Sequence, residues 1–437
     1  MSGAGSATGG TAGGGAGGGA THPLRAYGAV TAAYWAFMLS DGALRMLVLL
    51  QFNALGFSPV QLAWLFLLYE AAGIATNLAA GWLAARFGLA ATLYGGLALQ
   101  IAALAALTQL DPTWTVAVSV GFVMAVQGLS GVAKDLAKMS SKSAVKLLAP
   151  AEAGGLFRWV AALTGSKNAI KGLGFFLGAA LLALAGFTAA LWIMAAGLAA
   201  ILIAVALFLP SGLPGRMKPD EAWGGWRATD PRVNRLALAR LFLFGARDVW
   251  FVVGIPVYFQ SVLSDGTEPG RRAAFFAIGG FLALWIILYG AVQAAAPRLL
   301  GARRRDEAQI AAQAARWAGR LVPIPFLLAA AAWAAGAPLH WLPGSWLTAG
   351  LIGGLLLFGF VFAVNSSAHS YLILAFGSAE RITRDVGFYY MANAAGRLIG
   401  TLLSGLSYQI GGLPLCLATS GLMALASFAV MRRLPGA

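Results

Sequence analysis

The sequence predicts an all-α, multi-pass membrane protein of about twelve helices arranged as two six-helix halves. Three observations carry that reading: the bulk composition, the recurrence of apolar runs long enough to span a bilayer, and the placement of lysine and arginine. Of 437 residues, 59% are hydrophobic and only 10% are charged, with a mean hydropathy of +0.78. Soluble domains carry about 25% charged residues, so most of this chain is not built to face water. A hydrocarbon core about 30 Å thick needs roughly 20 apolar residues per helical crossing. Twelve crossings with short connections use nearly the whole length.

The spanning runs fall at about 27–54, 59–84, 90–109, 113–136, 156–185, 188–209, 235–262, 274–296, 321–337, 345–376, 386–410 and 412–431. Strands are not expected, because a barrel shows alternating segments of about ten residues instead. Residues 1–24 begin as an uncharged Gly/Ala/Ser/Thr tract with no apolar core, a flexible tail rather than a signal peptide. The first helix is then the insertion signal. A lone cysteine, Cys416, forms no disulfide framework.

Orientation follows from the bases. Of 30 Lys and Arg, 22 fall in the tails and in the breaks after even-numbered helices, two (Arg271 and Arg272) fall on the opposite side, and six lie inside spans. This bias places both termini in the cytoplasm of a protein in the inner (plasma) membrane. The net charge of +15 is thus a topology signal, and nucleic acid is not an expected partner; the lipid bilayer is.

The longest break, 210–234, carries Pro210, Pro214, Pro219 and Pro231 with mixed charges. It separates an N-terminal bundle, 25–209, from a C-terminal bundle, 235–437. Internal similarity supports the division. Ser40-Asp41-Gly42-Ala43-Leu44-Arg45 in helix 1 is matched by Phe244-Gly245-Ala246-Arg247-Asp248 in helix 7, and 168–178 in helix 5 by 393–405 in helix 11. Two such halves around a central cavity resemble the major facilitator superfamily. The stretch Gly81-Trp82-Leu83-Ala84-Ala85-Arg86-Phe87-Gly88 is similar to that superfamily's signature between helices 2 and 3, with Ala85 where an Asp is usual and no trailing basic pair.

The six intramembrane bases are the informative residues: Arg45, Lys167, Lys171, Arg240, Arg247 and Arg397. A charge at bilayer centre costs about 2.5–3.5 kcal/mol, so six left uncompensated would cost roughly 15–21 kcal/mol, beyond the whole stability of a typical domain. They must be paired or line a wet cavity. The acids within the spans are Asp41, Glu70 and Asp248, with Asp135 near an inner end. Asp41 and Arg45 are spaced to pair on one helix face. Arg247 and Asp248 point about 100° apart and are expected to pair across helices. Two to three bases are left over, which suggests an anionic small-molecule substrate that completes the charge balance.

Polar residues at helical spacing give several helices a wet face: Lys167/Lys171, Asn365/His369, Asn393/Arg397 and Glu70/Asn77. Guanidinium forks suit phosphate and carboxylate. Bland readings stand beside these. Arg240 is either a snorkelling anchor or a cavity base, the Asp41–Arg45 pair is structural or functional, and His369 is a core histidine or a proton carrier. Tyr389 and Tyr390 are interfacial anchors or cavity donors. Gly172, Gly174 and Gly178 fit close helix packing.

No phosphate-binding Gly-x4-Gly-Lys loop occurs, and no metal-ligand or nucleophile motif. Enzyme activity and cofactors are not expected, and transport must run on a gradient of protons or of a counter-anion. Asp41, Glu70, Asp248 and His369 are the candidate proton-coupling or charge-pairing groups.

A closer resemblance rests on longer stretches: 34–47 with Asp41 and Arg45, 163–171 with Lys167, Asn168 and Lys171, 243–251 with Arg247 and Asp248, 363–372 with Asn365 and His369, and 385–400 with Tyr390, Asn393 and Arg397. Together these resemble the ArsJ-type organoarsenical efflux permeases over roughly residues 27–431. The resemblance implies secondary active export of 1-arseno-3-phosphoglycerate, arsenate resistance, and a functional link to glyceraldehyde-3-phosphate dehydrogenase, which makes that ester. On this reading Arg45 and Arg247 bind one oxyanion, and Lys171 and Arg397 the other with help from Lys167. Asn168, Asn365, Asn393 and Tyr390 contact remaining oxygens. The alternative is an organophosphate/phosphate or other organic-anion antiporter using the same bases.

Overall fold

The computed structural model describes residues 21–148, 155–208, 230–301, 306–336, 344–376 and 382–434. The tail at 1–20, most of the 210–234 connection, and the side chains of 81–87 lie outside these. All regular structure among the described residues is helical.

Helix α1 is Thr21–Ala54. A capping box then starts the next segment: the Ser58 side chain accepts from the Gln61 backbone N–H, and Gln61 accepts from the Ser58 N–H, with Pro59 at the first helical position. That segment, Pro59–Leu65, continues past Phe66 into Leu67–Leu107, which breaks at Gly88 (φ 75°, ψ 175°). The part before the break is α2 and the part after it α3. Val116–Leu148 is α4, Gly155–Ala185 is α5 and Phe187–Phe208 is α6.

The second half opens with α7, Pro231–Val249, which passes through one π turn, Trp250–Gly254, and runs on as Ile255–Leu263. Glu268–Leu299 is α8; Glu307–Leu321 with Pro323–Gly336 makes α9; Gly344–Phe376 is α10. Ile382–Met431 is broken at Gly411 and Gly412, giving α11 (382–410) and α12 (413–431). Among the described residues, ten stretches are long and apolar enough to cross a membrane. The last of these holds both α11 and α12, and α7, which packs along α11, brings the long helices to twelve.

Several boundaries differ from expectation. The α4 helix continues to Leu148 rather than stopping near 136, and α9 starts at Glu307 rather than 321. Both extensions are amphipathic, so their mean hydropathy drops while the helix goes on. As a result Lys134 and Lys138, counted with the cytoplasmic breaks in the sequence, lie within α4.

Packing inverts that of a water-soluble protein. Trp192, Ile193, Ile203 and Leu207 of α6 are exposed, whereas Asp41, Glu70, Asp135, Asp248 and His369 are buried. Large apolar areas on the outside with ions within fit a lipid surround, and the chain is a multi-pass membrane protein.

The same device closes each half. In α5, a Cβ at Gly174 or Gly178 would lie 2.3 and 2.2 Å from the Leu39 and Ala43 carbonyl oxygens of α1. In α11, a Cβ at Gly396 or Gly400 would lie 2.1 and 2.7 Å from the Leu241 and Gly245 carbonyl oxygens of α7. Both pairs have the small-xxx-small spacing that lets helix backbones touch. The halves meet through α2 against α11 and α5 against α8. At the end away from the termini they are tied by Asn53 Nδ2 donating to Gln260 Oε1 (2.7 Å) and the Val60 N–H donating to Gln409 Oε1 (3.3 Å).

Replacing Gly396 by alanine should therefore destabilise the protein by about 1–3 kcal/mol through overpacking. Gly197→Ala, where a Cβ meets nothing within 4 Å, should leave stability unchanged or raise it by about 0.5–1 kcal/mol. Unfolding of the purified proteins in detergent checks both signs.

Candidate anion site between the two halves

The glycine crossings bring charged residues of α1, α2, α5, α7 and α11 into one buried cluster. Arg45 Nη1 donates to Glu70 Oε1 at 2.9 Å, and Arg397 Nη2 donates to the same oxygen at 2.6 Å. Arg397 Nε reaches Asp248 Oδ2 at 3.3 Å, and Arg247 holds Asp248 Oδ1 at 2.5 Å. A chain of five ions thus runs Arg45–Glu70–Arg397–Asp248–Arg247, and it crosses from the first half to the second at the bond from Arg397 to Glu70.

Beside this chain, Asp41 accepts from Lys171 Nζ (2.8 Å) and from the Tyr69 hydroxyl (2.5 Å). Lys134 Nζ lies 3.9 Å from the centre of the Tyr69 ring. Asp135 takes bonds from Thr76 and from Lys138 (3.3 Å), and Lys138 also donates to Asn77 Oδ1 (2.8 Å).

Two expected pairings are corrected by this geometry. Asp41 and Arg45 share a helix but not a bond: Asp41 bonds Lys171 of α5 and Tyr69 of α2, whereas Arg45 bonds Glu70 of α2. Arg247 and Asp248 do bond each other, because the long arginine side chain curls back over the angle that separates the two Cβ atoms. Asp248 reaches Arg397 as well, so the expected cross-helix pair also exists.

Seven of the thirteen sequence-predicted site residues meet in the cluster: Asp41, Arg45, Glu70, Lys171, Arg247, Asp248 and Arg397. Lys167 is half-buried one turn away on α5. Tyr390 packs on Tyr389 and lies 5.4 Å from Lys138 Nζ, ring centre to nitrogen. Asn168 and Asn393 belong to a separate polar group around Arg240 and Ser366, while Asn365 and His369 lie on α10 within one turn of Ser366. Asn168 Nδ2 bonds Gln293 Oε1 at 2.9 Å, Gln293 bonds Ser366, and Arg240 bonds Ser366 and Asn393. Arg240 is 5% exposed, so the snorkelling reading is not borne out. Missed in the sequence were Tyr69, Lys134 and Lys138, and Asp135 was noted only as an acid near an inner helix end; the i,i+4 spacing of the two lysines in a run that stays amphipathic was the available signal.

The charge balance is informative. The cluster holds six bases (Arg45, Lys134, Lys138, Lys171, Arg247, Arg397) against four acids (Asp41, Glu70, Asp135, Asp248). Arg45 Nη2 is buried with no hydrogen-bond partner. The site therefore keeps positive charge and an unused donor after its own carboxylates are spent.

Residues 30–311 match the family described as Major Facilitator Superfamily. The chain belongs to that superfamily. Solved structures with the same fold include a POT family transporter in complex with 5-aminolevulinic acid (14% identity, 94% of this chain and 96% of that one, TM-score 0.68). The nucleoside transporter NupG, solved as a point mutant, aligns at 15% identity over 94% and 98% of the two chains, with TM-score 0.66. A bacterial homologue of the iron transporter ferroportin in its inward-facing state aligns at 16% identity over 94% and 99%, with TM-score 0.63. At these identities the likeness concerns the fold. No curated protein sequence matches the chain. The family and its neighbours are transporters, and this chain is a transporter in type.

Glu70 is the acid shared between the halves, so Glu70→Gln leaves Arg45 without its carboxylate and Arg397 with Asp248 alone. Breaking a buried pair in this way costs about 3–5 kcal/mol. The loss should be visible in denaturation of the detergent-solubilised protein, and largely recovered when Arg45 is replaced by methionine in the same chain.

Proposed function

We propose that the protein is a secondary active exporter of an organic anion bearing two oxyanion groups, carried out of the cytoplasm across the inner membrane. The observation that carries this reading is the surplus of buried bases over acids in the cluster. Adding Arg240, Lys167 and the buried Asp385, the interior among the described residues holds eight bases against five acids. A substrate with about three negative charges or more would offset this surplus.

The chemistry follows from the pairs. Glu70 and Asp248 occupy the guanidinium groups as a substrate oxyanion would. An incoming phosphate or arsenate group offers two oxygens to a planar fork, at about twice the strength of a neutral hydrogen bond. It competes for Arg45, Arg397 and Arg247, and loosens the carboxylate bridge that ties the halves. Lys171, with Lys134 and Lys138 nearby, is placed for a second anionic group. Bond exchange at the shared carboxylates then couples binding to movement of one half against the other. A carboxylate released in this way is free to take up a proton, which gives Asp41, Glu70 or Asp248 a coupling role.

The cargo we assign is 1-arseno-3-phosphoglycerate, with arsenate resistance as the outcome and glyceraldehyde-3-phosphate dehydrogenase as its source. Its phosphate and arsenate ends fit the two basic groups, and the stretches holding Arg45, Lys171, Arg247 and Arg397 are those that resemble the organoarsenical permeases. Everted vesicles containing the protein, given arsenate, NAD, glyceraldehyde 3-phosphate and the purified dehydrogenase, should accumulate arsenic. Vesicles lacking glyceraldehyde 3-phosphate should not.

Correctly inserted Arg247→Gln and Arg397→Gln should each slow uptake by about tenfold or more, equivalent to about 1.4 kcal/mol of lost binding. Wild-type rates in both variants would refute the site. No uptake in either mixture, together with exchange of phosphate or an organophosphate in counterflow, would replace the arsenical by the organophosphate antiporter.

A further inference from the structure

Arg240 differs from every base in the central cluster. Its hydrogen bonds go to Asn393 Oδ1 (3.1 Å), the Ser366 carbonyl (2.9 Å) and Ser366 Oγ (3.1 Å), all uncharged. Among the described residues no carboxylate lies within salt-bridge distance of it. The guanidinium lies over the rings of Phe244 (4.0 Å) and Tyr389 (5.0 Å). Its faces are covered by these rings, and Nη2 takes part in none of the bonds above. A buried, unneutralised cation in a membrane span is expensive, and such residues mark ligand paths.

The second observation lies on α10, within one turn of Ser366. Asn365 and His369 are fully buried, and neither amide atom of Asn365 nor either ring nitrogen of His369 has a hydrogen-bond partner. Four unsatisfied polar atoms at one place are costly, at about 1–3 kcal/mol for each group left unpaired. The group sits seven residues from Arg247 on α7, about 10 Å along the helix toward the termini.

We propose that Arg240, Asn365 and His369 form a second anion site, separate from the central cluster, that takes a protonated oxyanion of the phosphate class. The chemistry selects this class. Arg240 supplies charge and donors, while the Asn365 amide and a neutral His369 each offer one donor side and one acceptor side. Hydrogen phosphate presents both bare oxygens and a hydroxyl, so it satisfies donors and acceptors together. Chloride, and sulfate at neutral pH, leave the acceptors unpaired. The oxyanion comes either from one end of a two-headed substrate or from free inorganic phosphate exchanged for it; only that choice rests on the transport reading above.

The test is thermal unfolding of the purified full-length protein in detergent, titrated with inorganic phosphate, sulfate and chloride. Wild type should show a saturable rise in Tm with phosphate, at concentrations where sulfate and chloride give little. Arg247→Gln, which alters the central cluster but leaves the second site intact, should keep a saturable response to phosphate. In Arg240→Gln the apparent Kd for phosphate should rise about tenfold or more. Asn365→Leu and His369→Leu should lose the phosphate response while melting above wild type without ligand, because each removes unpaired buried polar atoms; they decide the matter should Arg240→Gln not fold.

An unchanged response in these variants, no response in wild type, or a response lost only in Arg247→Gln would overturn the proposal. Glycerate 2,3-bisphosphate as a second probe separates the sources. Weakened binding of it in both Arg240→Gln and Arg247→Gln means one molecule spans both sites. Weakening in Arg247→Gln alone, with phosphate still lost in Arg240→Gln, means free phosphate occupies the second site. Transport can fail in the vesicle assay without altering the phosphate titration, so the two readings fall separately.

Discussion

The shared carboxylate of Glu70 is the interaction on which the arrangement depends. It accepts from Arg45 of its own half and from Arg397 of the other, and it lies fully inside a bundle whose exterior is apolar. In such surroundings no charge is left alone without a large penalty, so the position of each ion dictates the position of the next. Glu70 fixes Arg397, Arg397 shares Asp248, and Asp248 holds Arg247. A change in any one bond must be matched along the chain, which makes two rigid halves respond as a unit to a ligand that touches a few atoms.

That chain would not exist without the close helix crossings beneath it. Side chains of ordinary size at Gly174 and Gly178, or at Gly396 and Gly400, would push α5 from α1 and α11 from α7. Lys171 would then lose reach of Asp41, and Arg397 of Asp248. Backbone contact in each half and ionic contact between them are therefore successive layers of one construction: small residues set helix spacing, spacing sets which charges meet, and the surplus left by those meetings sets what the cavity can attract.

Much of this was legible in the residues. A base in an apolar run stands out because its insertion cost is large against its surroundings, and all four of Arg45, Lys171, Arg247 and Arg397 were identifiable on that ground. The two-half division followed from the Pro-rich 210–234 connection, with the repeated Gly-Ala motifs around residues 42 and 245 in support. Pairings were less legible, because partner choice depends on helix rotation and on how a flexible arginine bends. Asp41 and Arg45 have ideal spacing for each other, yet their helix meets α5 on one flank and α2 on the other, and each finds a cross-helix partner. Lys134 and Lys138 were misplaced for a different reason. An averaging window sees hydropathy fall and places a helix end, although only one face of α4 has become polar.

The π turn at Trp250–Gly254 carries a consequence for the angular phase of α7. A regular helix advances about 100° per residue, and a turn with one residue more than usual shifts everything beyond it by a comparable angle. The part of α7 before the turn directs Arg247 and Asp248 to the charge cluster, whereas the part after it directs Gln260 to Asn53. These are two separate azimuthal demands on one helix. The extra residue, held by Ser404 Oγ accepting from the Val253 and Gly254 N–H groups, is what lets one continuous segment meet both.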